Sequence, residues 1–248
     1  MNITSAALYF PPLTNIRFSP ALLDNIADLF EKTDLSLDLA NVTGSNYSIS
    51  EMYSFHQIRA GLGELLESGG IDRVDLYTML LKFKQYEFGW KGMLSIDCLK
   101  GVAYLGFDER QGRNVEELAI NLYNLLSDNL DIRYGFGFLR PNQRGPYLFA
   151  VGMVAGLGYG DKDENEADEI TCWLDEMTGR RRYLIDHFRG AFATNILSLA
   201  HAQEAHLLEN ANIGVLTPLK NSCYLWSLTG QELSRAQKML KHSCLIIC

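Results

Sequence analysis

Asp161, Asp163, Glu164, Glu166, Asp168 and Glu169 form the densest run of a single charge in the chain. The spacing Asp161-x-Asp163-x-Asn165 opens like a calcium loop, but the position that needs glycine for the turn holds Glu166. The position that needs a bidentate glutamate holds Cys172, so no cation site is expected. The run reads as a solvated helix start, favoured by the helix dipole, or in the sharper reading as a patch that binds a partner.

The other candidates lack the spacing their chemistry requires. Gly152, Gly156, Gly158 and Gly160 match neither a phosphate loop nor a dinucleotide fingerprint, and they read as relief of crowding or as turns at a strand end. His201 and His206 stand roughly 140° apart on a helix, not stacked as a zinc pair must be. Asp186-His187 has no accompanying nucleophile elbow, and chain neighbours rarely face each other, so a hydrolytic triad is not expected. The cysteines Cys98, Cys172, Cys223, Cys244 and Cys248 contain no C-x-x-C pair, and reduced thiols are expected. No metal, cofactor or catalytic residue is assigned.

The elements that must position these residues are clearest between 93 and 139. Residues 93–97 and 102–107 read as neighbouring strands. Asn114 is a helix cap before Leu118, Leu122, Leu125 and Leu126, and residues 131–139 read as a further strand. In that strand Tyr134, Phe136 and Phe138 would line one face, as core or as a base-stacking surface. Gly135 and Gly137 opposite would admit a packed neighbour. Upstream, residues 6–10 read as a strand, Ser19-Pro20 starts a helix, and Leu35, Leu37 and Leu39 alternate like a strand. Residues 41–50 read as a loop, 52–67 as a helix and 76–83 as a strand.

Downstream, residues 147–155 read as a strand, with a helix following the acidic run, another over 199–208, and strands at 214–219 and 224–228. Thr229-Gly230-Gln231-Glu232 is a capping box, and residues 245–247 read as a closing strand. Residues 183–198 are ambiguous. The order strand, strand, helix, strand appears in 93–139 and again in 214–248. It points to an α+β fold: antiparallel or mixed sheets with helices packed on one face, arranged as repeated α/β plait units. The 248 residues form a single domain, 1–248, or two subdomains, 1–158 and 159–248, that meet at the acidic run.

A net charge of −8 disfavours a binder of phosphate backbones, so no nucleic-acid partner is expected. The longest apolar run, 147–160, is too short and too rich in glycine to span a bilayer. A cytoplasmic protein that does not engage a membrane is expected.

The chain resembles the immunity proteins of bacterial polymorphic-toxin and type VI secretion systems, in particular those that neutralise nucleases. The likeness is carried by Arg133-Tyr134-Gly135-Phe136-Gly137-Phe138, by the stretch from Tyr147 to Met153, and by Trp226 after Gly214-x-Leu216-x-Pro218-Leu219. It implies a protein without enzymatic activity that binds one toxin and blocks its active site. An acidic inhibitor would be steered onto the positive surface of a nuclease, and the run from Asp161 to Glu169 is the expected contact. Two other classes stay open: a small-molecule enzyme with dispersed catalytic groups, and a homo-oligomeric regulatory module that pairs through exposed sheet edges.

Overall fold

The computed structural model describes residues 2–247 apart from 15, 17, 18, 45, 46, 58, 60–70, 80–89, 154–163, 210 and 211, and gives backbone alone for 47–53, 79 and 164–166. Strands β5 (Trp90–Asp97) and β6 (Val102–Asp108) form an antiparallel hairpin. Gly101 closes it at φ +70°; a Cβ there would lie 2.2 Å from the Phe10 carbonyl oxygen, so no side chain fits. Helix α2 (Val115–Leu126) follows, capped by Asn114, whose side chain accepts the Glu117 N–H at 2.8 Å. Its buried face is Leu118, Ala119, Leu122, Tyr123 and Leu126. The next strand, β7 (Tyr134–Pro141), does not pair with β6.

Between them lies β1 (Asn2–Tyr9), antiparallel to both, with Ala6 opposite Leu105 on one side and Gly137 on the other. Helix α1 (Pro20–Glu31) is capped by Ser19, which accepts the Leu22 N–H at 3.2 Å. The hairpin β2 (Leu39–Gly44) and β3 (Tyr47–Ser54) and the strand β4 (Ile71–Met79) extend the sheet beyond β5. Past the short helix α3 (Pro146–Ala150) and the helix α4 (Glu164–Thr178), the other flank is built from β8 (Thr194–Ser198), α5 (Leu199–Glu204), β9 (Val215–Pro218), β10 (Cys223–Ser227) and α6 (Gly230–His242). Among the described residues ten strands form one sheet in the order β3-β2-β4-β5-β6-β1-β7-β8-β10-β9. The β7–β8 ladder joins residues on either side of position 158.

The fold is α+β with an antiparallel sheet, as the element order indicates, but helices cover both faces of the sheet, not one. Ala6 and Leu8 of β1 face a core shared with α1 and α2. Ala7 and Tyr9 face a second core filled by Phe149 of α3, Trp173 of α4 and Leu240 of α6. Strands apolar on both sides need cover on both sides. The units read as plaits are therefore segments of one continuous sheet.

Four local expectations are corrected. Residues 41–50, read as a loop, belong largely to the β2–β3 hairpin: Ala40 and Val42 are buried while Leu39, Asn41 and Thr43 are half-buried, so a polar strand holds one apolar face. Alternation at Leu35 and Leu37 does not extend β2, which begins at Leu39. Residues 147–155, read as a strand, open with helix α3; Gly145 at φ +56° and Pro146 in its first turn set that start. Residues 245–247 make one parallel bridge, Ile246 to Phe188, and no ladder. Most of the expected helix at 52–67 lies outside the described residues; Tyr47–Ser54 is strand, and Phe55, His56 and Gln57 are helical.

Candidate partner-binding site

Helix α4 carries the acidic run. Asp161 and Asp163 lie outside the described residues; Glu164 and Glu166 are in its first turn, Asp168 is exposed and Glu169 half-buried. Ile170, Trp173 and Met177 face the core. At 3.6 residues per turn the outward stripe is Asp168, Thr171, Asp175 and Thr178, all exposed. Across Glu164–Thr178 there is no lysine or arginine.

Two carboxylates of α4 turn toward arginines of the following segment. Glu176 accepts from Arg182 Nε at 2.9 Å, Nη2 at 2.6 Å and the backbone N–H at 3.2 Å. Burial alone would raise the Glu176 carboxyl, but the hydrogen bonds and charge of Arg182 outweigh it and hold it below the usual carboxylate range. Glu169 Oε1 lies 3.5 Å from Nε of Arg189, whose side chain is buried. Burial draws the Arg189 guanidinium below its ordinary value, against the raising influence of Tyr9 and Glu169.

Arg189 also holds the end of α3. Its Nη1 donates to the Phe149 carbonyl at 2.7 Å, and its guanidinium stacks 3.6 Å above the Phe149 ring. The Ala150 carbonyl accepts from Tyr9 Oη at 2.8 Å and Trp173 Nε1 at 3.3 Å. The last carbonyls of a helix have no partner within it; here buried donors from β1, α4 and the 182–192 segment supply them. Gly152, at φ +71°, lets the chain pass the Leu174 backbone, where a Cβ would stand 3.0 Å from its Cα. Together these contacts fix the acidic helix on the sheet.

A second polar cluster, unread in the sequence, holds the other side of α3. Period two puts Arg73, Asp75 and Tyr77 of β4 on one face. The buried Asp75 carboxylate accepts from Arg73 Nε at 2.9 Å and Ser95 Oγ at 2.6 Å, and the Arg73 guanidinium lies 5.1 Å from the Tyr147 ring. Tyr104 Oη and Ser5 Oγ share a hydrogen bond of 3.0 Å on the same face. Burial pushes the Tyr147 phenol up to about 12. Asp75 is satisfied by Arg73 and Ser95, and Tyr104 by Ser5, while the buried Tyr147 hydroxyl has no hydrogen-bond partner among the described residues; α3 is held to these strands by the contact of the Arg73 guanidinium with the Tyr147 ring.

The aromatic alternation is core: Tyr134, Phe136 and Phe138 are buried in the second core. A Cβ on Gly137 would stand 2.3 Å from Val115 Cγ1, so that glycine admits the start of α2. His201 is buried and structural. Its Nε2–H points at the carbonyls of Tyr183 (3.0 Å) and His187 (3.1 Å), and Nδ1 lies 2.8 Å from Ser198 Oγ. His206 is exposed, past the end of α5. Asp186 and His187 do pair, contrary to the expectation for chain neighbours, because the turn at 185–186 folds one side chain back onto the other.

One cysteine also departs from expectation. Cys98, Cys223 and Cys244 are free thiols, but Cys172 is disulfide-bonded. The fold brings α4 against the C-terminal segment, with Cys172 Sγ 3.4 Å from the Ile247 carbonyl oxygen, a proximity that spacing in the sequence does not reveal. Among the described residues no three His, Cys, Asp or Glu side chains are grouped to hold a metal ion, and no helix is long and apolar enough to cross a membrane.

No protein-family model and no curated protein matches the chain. Among solved structures, the Pseudomonas aeruginosa T6SS protein PA0821 aligns with a TM-score of 0.53 at 8% identity, over 100% of this chain and 74% of that one. The two share a fold. At that identity the likeness extends to architecture and not to individual residues.

Proposed function

We propose that this protein is an immunity protein of a bacterial type VI secretion system, which binds a cognate toxin, covers its active site and performs no chemistry of its own. The observation that carries the reading is the likeness of fold, over the whole chain, to a T6SS protein. The α4 stripe supplies a physical means. Asp168 and Asp175 stand exposed on a helix without cations, and a net charge of −8 would steer the protein onto the basic surface with which a nuclease holds phosphates.

The test is capture of the partner from the native cell on the tagged protein, followed by expression of that partner in a host whose growth it arrests. Co-expression of this chain restores growth if the proposal holds. A captured partner that is not toxic, or toxicity that co-expression leaves intact, would overturn it. Replacing Asp168→Lys together with Asp175→Lys should slow association by about tenfold or more and flatten its salt dependence; unchanged kinetics would remove α4 from the interface.

A further inference from the structure

β9 is an edge strand of the sheet, and its backbone parity can be read from the turn that follows it. The Leu219 N–H donates to the Cys223 carbonyl at 2.8 Å. In the same register Thr217 lies opposite Leu225 and Val215 opposite Ser227. Narrow and wide pairs alternate along an antiparallel ladder, so the backbones of Thr217 and Val215 bond inward to β10. Those of Leu216 and Pro218 face outward, and Pro218, which has no N–H, stands where none is needed.

That outward edge is self-complementary. If a second copy is laid antiparallel about a two-fold axis through Leu216, the two Leu216 residues exchange N–H and carbonyl with each other. Val215 then falls opposite Thr217 of the copy, twice; both are exposed, Val215 at 65%, and both are β-branched residues that favour such pairs. Pro218 falls opposite Gly214 of the copy, whose backbone N–H is already bonded to the Glu232 carboxylate. The two positions unable to donate across the axis thus meet each other, so the central Leu216 pair alone supplies the backbone hydrogen bonds between the copies.

The adjoining surface fits the same arrangement. A cleft of about 260 Å³ opens on the Leu216 side of the sheet, lined by Leu207, Leu208, Ile213, Leu216, Tyr224 and Trp226. Leu208 on its rim is 45% exposed. Residues directly opposite in a ladder point to the same face about 5.5 Å apart, so the second copy's Leu216 would wall the open side of this cleft. We propose that the protein pairs with a second copy of itself along β9, antiparallel and centred on Leu216. The pairing stands independently of the immunity function.

Sedimentation equilibrium over a wide concentration range tests it, with two double variants at exposed positions. The wild-type chain should rise from a mass of 27.9 kDa toward twice that value. Val215→Lys with Thr217→Lys sets lysine against lysine twice and should stay monomeric. Val215→Glu with Thr217→Lys sets opposite charges face to face and should dimerise at least as well as wild type, less so in high salt. Far-ultraviolet circular dichroism establishes that each variant is folded, and because both alter the same two positions, a difference between them reports register. A wild-type chain that stays monomeric at the highest concentration overturns the proposal. So does a lysine variant that dimerises unchanged, or a glutamate–lysine variant that dissociates like the lysine one.

Discussion

His201 should give this protein a measurable loss of stability on mild acidification. The ring is buried, stacked on Tyr134 with centroids 5.4 Å apart and met edge-on by Phe188 at 5.3 Å. Its Nε2–H donates to two carbonyls, and Nδ1 accepts from the Ser198 hydroxyl. A second proton would reverse that last bond and place a charge where water does not reach. Burial accordingly lowers the pKa from 6.5 to about 4, against the raising influence of the carbonyl contacts. The folded value lies below the unfolded one, so on acidification the unfolded chain takes up a proton first and stability falls between pH 6.5 and about 4. With those two values the loss between about pH 7.5 and pH 5 comes to about 2 kcal/mol. Urea unfolding at a series of pH values measures it. His201→Gln, which cannot titrate, should unfold with a free energy nearly level over the same interval. Remaining above about pH 5 keeps the depressed carboxyls of Asp108 and Glu176 out of the measurement. A wild-type profile already flat, or a slope that persists in His201→Gln, would refute the reasoning.

Further outcomes follow from particular contacts. Gly137→Ala forces a methyl against Val115 and should cost about 1–3 kcal/mol in chemical denaturation. Gly190→Ala, where a Cβ meets nothing within 4 Å, should change stability by no more than about 0.5 kcal/mol. Thiol titration of the unfolded, unreduced chain should count three cysteines and of the reduced chain five. In the native state Cys244 should react first, because Cys98 and Cys223 are buried.

What the sequence discloses follows how local the cause is. The Asn114 cap, the Thr229 capping box and the strands around Leu94 and Leu105 are determined within a few residues, and each appears in the fold. The glycines beside Phe136 are legible from the alternation itself, but the neighbours they admit, Leu8 and Val115, come from elsewhere in the chain. Helix α3 is misread because a short apolar run has the same composition in a strand and in a buried helix; its starting signal, Gly145-Pro146, lies just outside the run. The Asp75 cluster is unread because Arg73 and Asp75 lie just ahead of the strand expected at 76–83, and because Ser5 and Tyr147 are brought to it from distant parts of the chain. At the acidic run the charge is legible but its direction is not. Arg182 and Arg189, which draw Glu176 and Glu169 inward, lie in or beside the stretch whose structure the sequence leaves ambiguous.

The position of β1 has a consequence for how the chain is made. Ile3 is flanked by Asp108 on one side and Arg140 on the other, so the middle of the sheet cannot zip up until synthesis has passed Arg140. Contacts so distant in sequence close slowly. Until they do, the nascent chain carries β1 without both of its neighbours, and it is in this interval of synthesis that the protein is most exposed to misassociation.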